Sequence, residues 1–335
     1  MPYPFTAEVT VENYLHGVRI DSFLVRHFRN YTPFRMQRMV RAGQVKIEGM
    51  RAATDDRVYK GQSVEVRLIE PPDHLLESEP LPLEILFEDP WIVAVNKPAD
   101  LVAHPCGNYS SGSLANALQA HFNGQTELRG LIRPGIVHRL DRLTSGVMVC
   151  TKEHVAHRRL SIDFQESRVR KEYLALVNGV VKPDEGEATF PIGKTPGGGT
   201  IKMSIAADSV DPRSARTKFT VVERFARHTL VLAQPYTGRL HQIRLHMMGI
   251  GHPVASDEFY SHSAVLTLGE LFGGDPAIYP PRVRHQPPET ILMSRQALHA
   301  HRLVFMHPIR CEPVTIVAEL PEDMRQVLEL LRAGR

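Results

Sequence analysis

One carboxylate, Asp141, stands among three basic side chains in the run His138-Arg139-Leu140-Asp141-Arg142-Leu143-Thr144-Ser145-Gly146, directly ahead of the apolar Val147-Met148-Val149. A carboxylate flanked by cations is held as the anion. Asp141 therefore reads as a nucleophile or charge stabiliser rather than a general acid. The segment Thr237-Gly238-Arg239-Leu240-His241-Gln242-Ile243-Arg244-Leu245-His246 follows a turn and has helical spacing. At about 100° per residue, Leu240, Ile243, Met247 and Met248 form an apolar arc with Arg244 inside it. A guanidinium on a buried stripe needs a carboxylate partner, unless its stem snorkels to the helix rim. Asp141 is the expected partner. A third segment, Lys171 to Gly179, alternates so that Lys171, Tyr173 and Ala175 share one strand face. On pattern alone a strand tyrosine belongs to the core.

Other chemistries find little support. His241 and His246 are five apart, which on a helix points the rings about 140° away from each other, poor geometry for chelating one ion. No H-E-x-x-H run, cysteine ligand pair or acidic cluster accompanies the 17 histidines, so no metal is expected. Gly197-Gly198-Gly199 lacks the strand-to-helix setting of a phosphate loop. Thr144-Ser145-Gly146 has the wrong frame for a serine-hydrolase elbow. Cys106, Cys150 and Cys311 are scattered and odd in number, which fits a reducing compartment rather than a disulfide framework. No apolar stretch approaches a membrane span and the start resembles neither a secretory nor a transit signal, so a cytoplasmic protein is expected. The net charge of +3 leans only mildly towards polyanions.

The elements that must position these residues fall into two units. Residues 12–70 read as a small module. Asp21 to Asn30 has helical spacing, Thr32-Pro33 caps a second helix that ends at Gly43, and short strands follow at Val45–Ile47 and Ser63–Leu68. Arg35, Arg38 and Arg41 recur along one side of the second helix, either as a solvated face or as phosphate contacts. Residues 71–82, Pro-rich and acidic, read as a linker. From 83 to 335 the chain reads as one α+β domain with a largely antiparallel mixed sheet. Strands are expected at 84–87, 92–96, 146–151, 172–179, 217–223, 229–234, 298–305 and 314–319. Helices are expected at 113–122, 152–166, 239–248 and 321–331. Two stretches, Lys194–Asp211 and Tyr260–Pro288, read as irregular loops or insertions.

The three segments resemble the signature of the RluA family of RNA pseudouridine synthases, H-R-L-D-x-x-T-S-G followed by G-R-x-H-Q-I-R in the right order and spacing. Further similarity lies in Asn96-Lys97-Pro98, Pro191-Ile192-Gly193 and Leu298-His299-Ala300. Two positions depart from the family's pattern: Asp100 and Ser256 stand where it usually has glycine. The resemblance implies a pseudouridine synthase fold and isomerisation of uridine in RNA without a cofactor. Asp141 would be catalytic, Arg244 would hold it, and Tyr173 would be catalytic too, stacking on the base and assisting proton removal. His138, Arg139 and Arg239 would contact substrate, with Arg139 wedging into the vacated stack. Asp141 would act at the anomeric carbon, at the pyrimidine ring or as the base of an elimination. The amino-terminal unit resembles the α-L RNA-binding module of the ribosomal-protein-S-four type, with Arg35, Arg38 and Arg41 as its phosphate contacts. Large-subunit ribosomal RNA is the favoured partner, transfer RNA the runner-up, and a monomer is expected. A non-catalytic ribosome-assembly factor on the same fold is the alternative class.

Overall fold

Strand Ile92–Lys97 and strand Ser145–Thr151 pair antiparallel at the heart of a ten-stranded sheet, and both are buried on both faces. Successive side chains of a strand point to opposite faces. Accordingly Val93, Val95, Met148 and Cys150 pack against Leu114, Leu118 and Phe122 of helix Leu114–Gln125. The intervening Ile92, Ala94, Val147 and Val149 pack against Ala156 and Leu160 of helix His154–Gln165. Two-sided burial explains why these segments read as unbroken apolar runs. The computed structural model describes residues 5–69, 76–105, 111–126, 129–196 and 202–334.

The sheet runs Glu185–Ala188, Thr217–Arg224, His228–Pro235, Arg170–Asn178, Leu298–Met306, Ser145–Thr151, Ile92–Lys97, Glu84–Glu88, with Pro313–Val317 and Gly135–Ile136 added at the side. Its described pairings are antiparallel except one, where Ser145 and Gly146 run parallel to His299 and Ala300. A β-carbon at Gly146, whose φ is +118°, would collide with the Ala300 backbone, so this close approach requires glycine. Helix Glu322–Ala333 closes the other half of the sheet, its Met324, Val327 and Leu331 packing with Leu176, Val231 and Leu298.

The amino-terminal unit has its own core of Leu15, Ile20, Phe23, Leu24, Met36, Val40, Val64 and Val66. Helix Pro33–Arg41 begins where expected, with the Thr32 hydroxyl accepting the Arg35 N–H. Strand Phe5–Thr10 pairs with Ser63–Leu68, so the unit's four-stranded sheet reaches ahead of residue 12, the expected start. The unit docks on the larger domain. Asn30 Nδ2 donates to the Gly130 carbonyl at 2.7 Å, Arg133 donates to the Arg29 carbonyl at 3.1 Å, and the Arg158 guanidinium lies 4.5 Å from the Tyr14 ring centre.

The described part of the stretch expected as linker carries no helix or strand and is docked: Glu77 and Glu79 hydrogen-bond to Asn116 and Gly112 at the start of a helix. Two other expectations need correcting. Lys194–Asp211 is not simply a loop, because Met203–Ser204 and Val210–Arg213 flank Ile192–Lys194 as a three-stranded sheet, although Gly197–Gly199 fall outside the described residues, as does Cys106. Tyr260–Pro288 contains strand Leu266–Thr267 and helix Leu268–Phe272, the latter fixed by a capping box of Thr267 and Glu270. Among the described residues no helix is long and apolar enough to cross a membrane.

Candidate active site

Asp141, Tyr173 and Arg244, distant in sequence, line one cavity of about 590 Å³ together with His138, Arg139, Lys171, Arg239 and His241. The cavity lies where the sheet switches from antiparallel to parallel, and takes Thr144, Tyr173 and Leu298 from three neighbouring chain segments. Its size is that of a small-molecule pocket.

Arg244 is the electrostatic centre. It projects from helix Gln242–Gly249 and is only 2% exposed. Its Nε and Nη2 donate to the two oxygens of Asp257 at 2.6 and 2.7 Å, and its Nη1 donates to Asp141 Oδ2 at 3.0 Å. Burial works against the charge on Arg244, but the two carboxylates outweigh it and raise its pKa further. The expected Asp141–Arg244 pair is present, while the bidentate partner, Asp257, was not foreseen from sequence. Asp257 is fully buried, and its Oδ1 also accepts the N–H groups of Phe259 and Tyr260. One guanidinium thus joins a hidden, immobile carboxylate to one that faces the cavity. The Asp141 side chain is 19% exposed.

The helix carrying Arg244 starts at Gln242 rather than Arg239, because the preceding residues form a side-chain-braced loop. Gln242 Oε1 accepts from the Thr237 hydroxyl and the Arg239 N–H, while its Nε2 donates to the Arg216 carbonyl and Thr217. His241 is left-handed, with φ +56°, a conformation uncommon for a non-glycine residue. That backbone places His241 Nε2 3.9 Å from Asp141 Oδ2, with Nδ1 2.8 Å from the Tyr260 hydroxyl. Burial pushes the His241 imidazole down to about 4 despite the nearby Asp141 charge, so the ring is neutral at pH 7.

Lys97, fully buried, lies near enough to Asp141 for the two charges to interact. Its ammonium donates to the carbonyls of Pro98, Leu101 and Arg142 at 2.8, 2.9 and 3.1 Å, which clamps the backbone next to Asp141. Burial lowers Lys97 to about 7, with the Asp141 charge opposing. The sequence places a strand at 92–96 and a family-like strand and turn at Asn96-Lys97-Pro98, with no role for Lys97.

Tyr173 comes from strand Arg170–Asn178 at the point where its pairing with Leu298–Met306 shifts register. Burial, then the Asp141 charge, raises its phenol well above the usual value, so the hydroxyl keeps its proton. His138 lines the cavity, but its Nε2 accepts the Val149 N–H at 3.0 Å and its ring stacks on Phe164. Burial pushes it down to about 3, leaving a neutral wall residue. Arg139 is exposed at the rim. Arg239 donates from Nε to the Ser214 carbonyl at 3.1 Å. Arg35, Arg38 and Arg41 lie on the amino-terminal unit and line no part of this cavity.

Both missing glycines have a structural counterpart. Asp100 and Ser256 adopt φ of +67° and +57°, so each turn keeps the left-handed backbone that glycine would supply. Ser256 is held by hydrogen bonds from its hydroxyl to the carbonyls of Ala264 and Met293. Asp100 pairs with Arg142, beside the proposed catalytic residue.

The family model described as RNA pseudouridylate synthase matches residues 91–248, which contain Asp141, Tyr173 and Arg244. An uncharacterised RNA pseudouridine synthase of Bacillus subtilis is 35% identical over 97% of this chain and 98% of its own length. A ribosomal large subunit pseudouridine synthase D of Neisseria meningitidis is 35% identical over 97% of this chain and 81% of its own. The solved structure of human RNA pseudouridylate synthase domain containing 4 aligns with a TM-score of 0.56 at 25% identity, covering 74% of this chain and 93% of that one. With the fold, the cavity and full-length relatives in agreement, this chain belongs to the RNA pseudouridine synthases of the RluA type.

Proposed function

We propose that the enzyme isomerises uridines of large-subunit ribosomal RNA, using Asp141 as its catalytic carboxylate and no cofactor. The observation that carries the reading is the chain Asp257–Arg244–Asp141 ending at the cavity, with Tyr173 on the same wall. Isomerisation breaks the bond from the anomeric carbon to N1, turns the detached uracil, and forms a bond to C5. The C5 proton is lost and N1 gains one, so the reaction balances without a co-reactant.

A stacked base cannot reach this cavity, so the uridine must be flipped out, and Arg139 at the rim is positioned to fill the gap with its planar guanidinium. Asp141 then attacks the anomeric carbon or the pyrimidine ring, or removes a proton to start an elimination; Arg244 keeps it oriented in each case. Tyr173 stacks on the uracil. Because its phenol stays protonated, it acts through that stacking or by donating a proton, not as a standing phenolate base. Neutral His138 and His241 supply shape and hydrogen bonds without adding charge.

The ribosomal assignment draws on the relatives named as large-subunit enzymes and on the amino-terminal unit, whose helix Pro33–Arg41 carries Arg35, Arg38 and Arg41. On this reading the unit is an S-four-like module that contributes salt-dependent affinity through phosphate contacts. The test is tritium release from RNA transcribed with carbon-5-labelled uridine. Large-subunit ribosomal transcripts release label and transfer-RNA transcripts do not. Release from transfer RNA alone would reassign the substrate, and no release from either would overturn the reading.

A further inference from the structure

Tyr236 is 44% exposed and sits between Pro235 and Thr237, both of which line the cavity, though its own ring lies outside. Exposed tyrosines are ordinary; the backbone of this one is held on both sides. Arg216 and Tyr236 are the first residues beyond the last rung of the Thr217–Pro235 ladder. The Tyr236 N–H donates to the Arg216 carbonyl at 2.9 Å, and the Arg216 N–H donates to the Thr237 hydroxyl at 3.1 Å. Gln242, from the Arg244 helix, donates to the same Arg216 carbonyl. The Arg216 guanidinium lies 4.7 Å from the Tyr236 ring centre and is itself held by Glu187. That is the only aromatic or cation–ring contact of Tyr236 among the described residues, and the side chain remains exposed beyond it.

We propose that Tyr236 is a stacking platform for a nucleobase flanking the reacting uridine, and so helps set which uridines are chosen. The inference rests on the RNA reading above. An aromatic ring stacks on any base. The guanidinium behind it, paired with Glu187, backs one side of the ring, and Arg239, which lines the cavity, bonds to the carbonyl of Ser214, two residues before Arg216. A ring fixed before binding loses little freedom when the base arrives. A wholly structural Tyr236 would instead be buried or would close contacts with apolar neighbours.

The experiment uses the full-length enzyme, tritium release, and oligoribonucleotides centred on a uridine that the wild type modifies. Tyr236→Ala raises KM about tenfold, within the range that loss of one stacked base produces, while kcat stays within a factor of two; Tyr236→Phe restores KM. Removing the flanking base that stacks raises KM for the wild type by a similar factor and leaves Tyr236→Ala unaffected, because the interaction is already gone. An unchanged KM in Tyr236→Ala, or an abasic penalty that persists in that variant at every flanking position, overturns the proposal. A wild type that releases no tritium from any RNA fails the proposed function instead, so the two failures are distinguishable.

Discussion

Two buried cations near Asp141 are held on opposite electrostatic plans. Arg244 is buried against two carboxylates, whereas Lys97 donates to three carbonyl oxygens and, among the described residues, makes no ion pair. Desolvation opposes both charges. Arg244 overcomes it because Asp257 offers a bidentate pair, the geometry best matched to a guanidinium. Lys97 does not overcome it, and its ammonium falls to about 7. The difference separates two jobs: a permanent cation orients the reactive carboxylate, while a dischargeable one fastens the loop that carries it.

Substitutions of the two cations should therefore differ in kind. Arg244→Met deletes the cation in contact with Asp141, and a loss of about 10²–10³-fold in kcat is expected, the size seen when one preorganised electrostatic contact is removed. Steady-state tritium release measures it, and a loss below tenfold would mean that Asp141 is oriented by something else. Asp257→Asn leaves Arg244 buried with its bidentate partner gone. Breaking such a pair costs about 3–5 kcal/mol, which denaturant unfolding reads directly. A cost under 1 kcal/mol would show that the hidden carboxylate is dispensable.

Lys97→Met isolates the other cation through pH. A lysine whose folded pKa lies below its unfolded one binds fewer protons folded than unfolded between about 7 and 10.5. Stability from this residue therefore rises with pH across that window, after carrying the full cost of the buried charge below it. The wild type should gain on Lys97→Met as pH goes from 7 to 10 in thermal melts. A gap that is flat or narrows would contradict the buried titrating lysine. The smallest effect is expected at the rim turn. Asp100→Gly relieves a left-handed non-glycine backbone but removes an exposed ion pair with Arg142. The net change should stay within about 1 kcal/mol, and a larger loss would show that the pair does more than decorate the turn.

The same contrast explains what the sequence disclosed. Most strands of the large sheet and the three helices of 12 residues were legible because their burial has a period, 2 or 3.6, that a linear pattern records. Arg244 was legible for the same reason, as a charge in the wrong place on an apolar arc. Asp257 and Lys97 carry no such mark. Asp257 sits in a turn whose fold depends on Ser256 taking a glycine-like φ, and Lys97 is clamped by backbone carbonyls that no side-chain pattern encodes. The helix start at Gln242 was misplaced by three residues because Gln242 itself braces the loop before it, a contact set by tertiary structure. Strand Phe5–Thr10 escaped because its alternation pays off only against Ser63–Leu68, about sixty residues away.

The most direct measurement compares Asp141→Asn with the wild type on the same RNA. Asparagine keeps the shape and can still accept a hydrogen bond from Arg244 while losing the negative charge. The expected result is no detectable tritium release, with RNA affinity within a factor of three in a filter-binding titration. Turnover within tenfold of the wild type would contradict the assignment of Asp141 as the reacting group.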